Sequence, residues 1–270
     1  MLSGASRDKI KAPLRGAFFI ACLLLTGQVW GAPAPECLVD HVDEQVRVKQ
    51  VFDGDTIQLD DGRKVRLLGI NTPEFDWEGG AHEPLAHEAR KALSDLLDKS
   101  RTIGLRYERQ RLDRYKRVLA HLIIDGRTNI QQILLQRGLA LAIVVPPNLW
   151  LQDCYQLAER QARDKGLGLW GQDYFRSLDV TRQPPQRGGF RLIAGRVDRI
   201  KKTARTLWLH LVGDVSLHIA REDWQYFPDN NWRLWQGRDI VARGWLYHRG
   251  DKWGLRIRHP QNIEAVRSEE

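Results

Sequence analysis

A stretch at residues 51–74 limits the possible folds more than any other part of the chain. It reads VFDGDTIQLDDGRKVRLLGINTPE, with short apolar strands joined by tight turns and an unusual density of polar groups. A buried core requires no such carboxylates, amides or guanidinium groups, so their concentration predicts a functional site. The candidate site residues in this stretch are Asp55, Arg66, Asn71, Thr72 and Glu74.

Alternating apolar residues predict strands on both sides of the DGD sequence at 53–55, and DDG at 60–62 predicts a hairpin turn. Asp55 directly precedes a β-branched strand, so its side chain can point into a concavity. Further along the chain, helices are predicted at residues 82–97 and 149–165, strands at 101–107 and 118–124, and a short helix capped by Thr128 or Asn129. This order predicts an α+β fold, a small β-barrel with helices packed on it.

Residues 177–189 are rich in Arg, Pro, Gln and Gly and predict a linker. Beyond it, the pattern of three strands, a short helix and two strands predicts a second small, OB-like β-barrel. The predicted organisation is a signal peptide at 1–32, a first barrel at 33–176, the linker at 177–189 and a C-terminal barrel at 190–270.

The C-terminal region interleaves tryptophans with basic residues, a pattern with two interpretations. The aromatic side chains could stack on bases while the cations track phosphates. Alternatively, the tryptophans fill the core of a small barrel and the cations solvate a loop. The residues concerned are Trp208, Trp224, Trp232, Trp235, Trp245 and Trp253, with Arg196, Arg199, Lys201, Lys202 and Arg205.

The formal charge of +8 at pH 7 favours polyanionic partners such as nucleic acid, although anionic lipid surfaces would be attracted equally. The cations Lys9, Lys11 and Arg15 precede an apolar run at residues 17–25 that is too short to span a bilayer. This pattern predicts a secretory signal cleaved near residues 31–32, and hence a periplasmic or secreted protein without stable membrane insertion after cleavage. The alternative is a retained membrane anchor.

Removal of the signal leaves two cysteines, Cys37 and Cys154, in an oxidising compartment. They form either a disulfide or two buried free thiols. His82 and His87 are interpreted as surface residues in preference to metal ligands.

Several motifs together resemble the thermonuclease family, the staphylococcal-nuclease-like domain, over residues 46–170. They are DGDTIQL, VRLLGINTPE, EPLAHEARKAL, RLDRYKRVLAHLIIDG, TNIQQILLQRGLA and AERQARDKGLGLW, in that order. The resemblance implies an OB-fold barrel with helices and a calcium-dependent phosphodiesterase acting on DNA and RNA.

By motif position, the resemblance implies that Asp55, Asn71 and Thr72 hold Ca²⁺, the last through its carbonyl. Arg66 and Arg117 are implied to grip the scissile phosphate, and Glu74 to act as the general base. Tyr115 is implied to contact phosphate, and the adjacent Arg114 is a further candidate for such a contact. Phosphodiester hydrolysis needs these groups: oxygen ligands for a hard cation, a base near water, and guanidinium donors for the phosphate.

Three positions depart from the family pattern. Asn71 replaces a common Asp, which removes one negative charge and predicts weaker metal affinity. Lys116 replaces a glycine between Tyr115 and Arg117. Residues 143–148 lack the tyrosines that contact the nucleotide in staphylococcal-type members, which leaves Trp77 and Trp150 as possible substitutes.

The sequence therefore predicts a secreted or periplasmic metal-dependent nuclease with little sequence preference. The alternative is a nucleic-acid-binding protein that keeps the barrel and has lost catalysis. In a third interpretation the C-terminal region binds a protein partner or anchors the chain to the cell envelope. The sequence identifies no particular protein partner.

Overall fold

The computed structural model describes residues 37–77, 79–98 and 102–266, all within one compact unit. The predicted signal sequence lies outside these residues. Among them, no helix is both long enough and apolar enough to cross a membrane.

The first barrel consists of five strands whose apolar side chains contribute to one buried core. Strands β1, β2, β3, β5 and β6 form a closed sheet, because β3 pairs in parallel with β6 as well as with β2. Short strands β4 and β8 pair antiparallel beside the barrel, and β7 pairs antiparallel with β6. The bounds are β1 Glu44–Val51, β2 Thr56–Leu59, β3 Lys64–Leu67, β4 Ile70–Asn71, β5 Thr102–Arg106, β6 Val118–Ile124, β7 Thr128–Asn129 and β8 Leu141–Ala142.

Three helices cover this barrel: α1 (Ala86–Asp98), α2 (Ile130–Gln136) and α3 (Gln152–Asp164). Helix α1 begins four residues later than predicted, because Leu85 adopts a left-handed backbone with φ of 65°. The predicted cap of α2 is confirmed for one of its two candidates, since the Asn129 side chain accepts a hydrogen bond from the Gln132 backbone N–H at 2.9 Å.

A disulfide joins Cys37 to Cys154 and so connects the start of the described chain to α3. Of the two possibilities left open by the sequence, the structure therefore has the bridge. It closes a loop across a sequence separation of 117 residues. Such a cross-link restricts the unfolded chain far more than the folded one.

Replacing both cysteines with serine is expected to lower the free energy of unfolding by about 2–4 kcal/mol, because the unfolded chain regains the entropy of the open loop. Urea unfolding of the double variant and of the wild type, both without reductant, measures this difference. Wild-type protein treated with reductant is the control and should match the variant. Equal midpoints for oxidised wild type and variant would show that the bridge does not stabilise the fold.

The second barrel repeats the five-strand closure, with β10 pairing to both β11 and β13. Its inward residues alternate along the strands, as in β11, where Leu207, Leu209 and Leu211 are buried while Trp208 and His210 face outward. A 3₁₀ helix at Arg221–Tyr226 follows the third strand. The bounds are β9 Leu178–Asp179, β10 Gly189–Lys202, β11 Thr206–Leu211, β12 Val215–Ala220, β13 Asp239–Arg249, β14 Lys252–Arg256 and β15 Ile263–Ala265.

Together the two barrels confirm the predicted fold class, an OB-fold domain with helices and a second small β-barrel. The predicted linker is partly structured, because β9 lies within it and pairs in parallel with β10 of the second barrel. The barrels also share an apolar cluster in which Phe190 of β10 joins Leu141 of β8 and Leu169. Asn262 adds two hydrogen bonds to the backbone of Val144.

Candidate active site

A cleft of about 700 Å³ opens beside β3 and β4 and is lined by residues of both barrels. The structure brings every predicted site residue except Thr72 to its walls. From the first barrel these are Asp55, Arg66, Asn71, Glu74, Arg114, Tyr115 and Arg117, and the second barrel contributes Arg243, Trp245, Arg256, Arg258 and Asn262.

Asp55 is buried at the floor of the cleft, at the start of β2. One carboxylate oxygen, Oδ2, accepts hydrogen bonds from the Thr72 backbone N–H at 2.9 Å and from its hydroxyl at 3.1 Å. The other, Oδ1, accepts from the Thr56 hydroxyl at 3.1 Å. Thr72 thus lies behind the cleft wall, where its side chain fixes the orientation of Asp55.

The guanidinium of Arg66 lies at the floor of the cleft, next to the carboxylate oxygens of Asp55. Its Nη2 lies 3.0 Å from Asp55 Oδ2 and donates to Asn71 Oδ1 at 3.1 Å. Its Nη1 donates to the carbonyls at positions 67 and 70, at 2.6 and 2.9 Å. Because β2 and β3 place position 66 opposite position 56, the barrel register itself holds Arg66 against Asp55.

Glu74 lies at the mouth of the cleft and is open to solvent. The protein around the cleft still desolvates its carboxyl group, and together with the charge of Asp55 this raises its pKa to about 7. Its backbone is held by Glu83, whose carboxylate accepts from the Glu74 N–H at 3.0 Å. A carboxyl group with a pKa near neutrality is suited to accept or donate a proton.

Asp53 is a carboxyl group on the cleft wall that was not among the predicted site residues. Burial, followed by the neighbouring charge of Asp55, raises its pKa to about 7, and its Oδ1 accepts from the Asp55 backbone N–H at 2.9 Å. The DGD turn was the available signal, since it places two carboxylates two residues apart where the chain enters β2. Because an Asp before Gly is typical of a turn, the sequence alone gave no reason to assign Asp53 to the site.

Arg117 lines the cleft, and Asp113 holds its side chain in place. Its Nε donates to Asp113 Oδ2 at 2.7 Å, and its backbone N–H donates to Oδ1 at 2.9 Å. Burial alone would raise the pKa of Asp113, but the hydrogen bonds from Arg117 outweigh it and lower that pKa. Lys116 adopts the left-handed conformation that glycine takes freely, with φ of 61°. The turn is therefore kept although lysine replaces the glycine of the family pattern.

Tyr115 and Arg114 form an exposed pair beside Arg117. The Arg114 Nη2 donates to the Tyr115 hydroxyl at 2.5 Å, and its guanidinium lies 4.6 Å from the centre of the tyrosine ring. The Arg117 guanidinium lies 5.6 Å from the same ring. The ring therefore lies between two cations on the rim of the cleft.

The second barrel contributes an aromatic residue to the cleft beside the segment that lacks tyrosines. Trp245, about half exposed, lines the cleft together with Ile143 and Val144. Trp77 instead stacks on Phe75, and Trp150 packs against His121 and the Arg106 guanidinium. Neither of these two tryptophans is among the described residues that line the cleft.

The oxygen atoms on the floor suit a hard cation, although the part of the chain that the structure describes has no cluster of three or more His, Cys, Asp or Glu residues able to hold a metal. Asp55 is buried and Asp53 lies two residues away on the cleft wall, where desolvation and then the charge of Asp55 raise the pKa of Asp53. The Asn71 amide oxygen and the Thr72 carbonyl are neutral ligands of the kind Ca²⁺ accepts. His82 and His87 are exposed and contact the Phe75 ring.

Residues 64–172 match the family model described as staphylococcal nuclease homologue. The chain is 34% identical to the thermonuclease of Staphylococcus intermedius over 142 residues, which are 51% of this chain and 83% of that protein. The chain belongs to the staphylococcal nuclease family. It is also 33% identical to endonuclease YncB of Bacillus subtilis over 130 residues, 46% of this chain and 61% of that relative.

The staphylococcal nuclease match ends at residue 172, before the second barrel begins. Asp53, Asp55 and the strand that follows them lie just ahead of it, and Arg66, Glu74 and Arg117 lie inside it. The wall formed by Arg243, Trp245 and Arg258 lies outside the matched residues. This chain therefore adds a second barrel to the cleft of a staphylococcal nuclease domain.

Proposed function

We propose that the protein is a metal-dependent nuclease that hydrolyses phosphodiester bonds of DNA or RNA with little sequence preference. The observation that supports this most strongly is the convergence of Glu74, Arg66 and Arg117 on one cleft. A base with a pKa near 7 and two guanidinium groups are two of the three parts that phosphodiester hydrolysis requires, the third being oxygen ligands for a hard cation. The family membership and the names of the relatives agree with this activity.

In the proposed mechanism, Arg66 and Arg117 hold the scissile phosphate by hydrogen bonds from their planar guanidinium groups. Glu74 takes a proton from a water molecule, whose oxygen then bonds to phosphorus. The bond from phosphorus to the leaving oxygen breaks, and that oxygen, on which negative charge grows, takes a proton from solvent. Arg117 stabilises the leaving side, and Asp113 positions Arg117. The resemblance implies products that end in 3′-phosphates.

Asp55, Asn71 and the carbonyl of Thr72 would hold Ca²⁺, with Asp53 adding negative charge beside them. A bound Ca²⁺ would supply a positive charge that polarises the phosphate. Arg66 already neutralises part of the Asp55 charge, and the amide at position 71 brings no charge of its own. We therefore expect weak calcium affinity compared with a site that has a second carboxylate ligand.

Replacing Asn71 with Asp is expected to tighten calcium binding by on the order of tenfold, because it adds a charged oxygen ligand. Isothermal titration of the variant and the wild type with CaCl₂ measures the change without any substrate. The control is Gln110→Glu, which adds one negative charge elsewhere on the cleft wall. Equal tightening in both variants would mean that the field of the cleft, and not ligation at position 71, sets the affinity.

A periplasmic or secreted location is part of the proposal. The predicted signal sequence supports it, and so does the disulfide between Cys37 and Cys154, because disulfides persist in oxidising compartments. Mass spectrometry of the protein recovered from its native host tests this directly. A mature N-terminus near residue 32 would support secretion, and an intact N-terminus would support the retained anchor.

The competing proposal is a nucleic-acid-binding protein without catalysis, favoured by the missing charge at position 71. Incubation of the purified protein with labelled single-stranded DNA and RNA, in calcium and in chelator, separates the two. Shortened products in calcium alone support the nuclease. Binding with no cleavage in either condition would support the competing proposal.

A further inference from the structure

The outer face of the second barrel carries a separate cavity of about 540 Å³ next to the turns at residues 203–205 and 250–251. Four exposed cations line it: Arg199, Lys201, Arg249 and Lys252. Among the described residues, none of the four forms a salt bridge with a carboxylate, and no acidic side chain lines the cavity. The concentration of positive charge in this cavity is therefore not neutralised by the barrel itself.

Aromatic rings lie between these cations. Trp208 of β11 is 5.2 Å from His218 of the adjacent strand β12, and His218 is 5.8 Å from Tyr247 of β13, measured between ring centres. Trp208 also stacks on His210 with an angle of 9° between the rings. Rings on an outward sheet face contribute nothing to the buried core, which the Leu side chains of β11 fill from the other face.

The cations of the cavity also act on His210, which lines it. Burial lowers the pKa of His210, and the positive charges of Arg199 and Lys252 lower it further. The positive charges that lower the pKa of His210 are the same cations that would attract an anionic ligand to this cavity.

Strand β13 connects this cavity to the candidate active site. Its outward residues alternate, and Trp245 lines the cleft while Tyr247 and Arg249 line the cavity. Positions 245 and 247 are about 7 Å apart along the strand. Arg256 of β14, which pairs with His218 in register, also lines the cleft, where its guanidinium forms ion pairs with Glu222 and Asp223. The outward side chains of β13 therefore lead from the cations of the cavity to the ring of Trp245 in the cleft.

We propose that this cavity binds single-stranded nucleic acid and directs the bound strand along β13 into the cleft. The phosphates would contact the four cations, and bases would stack on Trp208 and Tyr247. Stacking on aromatic rings combined with a positively charged groove is how sequence-independent single-strand binding works. In this account Trp245 supplies the stacking group at the position where the first barrel lacks tyrosines. Binding of the strand does not depend on the proposed nuclease function; only its cleavage in the cleft rests on that function.

The test measures binding of a fluorescently labelled 20-nucleotide oligothymidylate by anisotropy in chelator, with the oligonucleotide checked on a gel to be intact. The variant R249A/K252A is expected to raise Kd by about tenfold and to reduce the salt slope by about 1.4, as for two lost phosphate contacts. The control R127A/K165A removes two exposed cations that line neither cavity and should stay within about twofold of wild type.

Trp208→Ala is expected to raise Kd about fivefold or more with the salt slope unchanged, whereas Trp208→Phe keeps a ring and should retain binding. If the protein cleaves DNA, Trp208→Ala should also raise KM for the 20-mer without changing kcat, and leave a tetranucleotide unaffected. These readouts separate loss of a binding surface from misfolding, which would impair both substrates and both variants.

Equal Kd values for R249A/K252A and its control would overturn the inference. The inference would also be overturned if the variants bind the oligonucleotide normally but lose binding to vesicles of anionic phospholipid. That result would assign the surface to membranes. Absence of cleavage by the wild type would refute the nuclease proposal and leave the binding result valid. Normal cleavage with unaltered binding in these variants would refute this inference alone.

Discussion

Replacing Glu74 with Gln is expected to slow phosphodiester cleavage by about 100- to 10,000-fold at saturating substrate, because an amide cannot take the proton from water. The change keeps the size of the side chain and its place at the mouth of the cleft. Substrate binding relies on Arg66, Arg117 and the second barrel, so KM should change little. Steady-state rates with a single-stranded oligonucleotide in calcium give both constants.

The matched control for this prediction is Glu88→Gln, which removes a carboxylate from the exposed face of α1. Its rate should equal that of the wild type. If Glu74→Gln also cleaves at the wild-type rate, the proton acceptor is another group, and Asp53, the other cleft carboxyl with a pKa raised to about 7, becomes the candidate.

Replacing Arg243 with Met is expected to lower the free energy of unfolding by about 3–5 kcal/mol, since it leaves a buried carboxylate without its partner. Arg243 of β13 is buried, and its Nη1 lies 2.6 and 2.8 Å from the two carboxylate oxygens of Glu159 on α3. The same nitrogen donates to the Ala142 carbonyl at 3.0 Å, and Nη2 donates to Glu264 at 2.8 Å. These contacts join the two barrels, so urea unfolding measures their contribution.

Arg163→Met is the control, because Arg163 pairs with the same Glu264 at the surface at 3.2 Å and should cost less than about 1 kcal/mol. Replacing both Arg243 and Glu159 with Met should recover part of the lost stability, because no unpaired charge then remains buried. A loss for Arg243→Met no larger than for Arg163→Met would show that the ion pair does not hold the barrels together.

Local sequence patterns predicted the bounds of strands and helices correctly where the contacts of the folded protein favour the same structure. Strand β6 occupies residues 118–124 as predicted, because its apolar run is buried in the barrel. Asn129 caps α2 through a contact within its own turn. The start of α1 was predicted wrongly, because the apolar spacing from His82 onward does not reveal the left-handed residue at position 85.

The meeting of the predicted residues in one cleft was predictable as far as they lie within the family motifs. Asp55, Arg66 and Glu74 lie on strands and turns whose register the motifs specify. Asp113 was missed because its role is to position Arg117 and not to contact substrate. The roles of Trp245 and Arg243 depend on how two barrels dock, and no local periodicity encodes such a contact.

The central claim is that Glu74 and Arg117 act on the same phosphate in one cleft, and a double-mutant cycle on cleavage in calcium tests it most directly. The variant Arg117→Ala alone is expected to slow cleavage by about 100- to 1,000-fold. Residues that act as a unit give strongly non-additive losses. We predict that the double variant is close in rate to the slower single variant; losses that multiply in full, or single variants as fast as wild type, would contradict the claim.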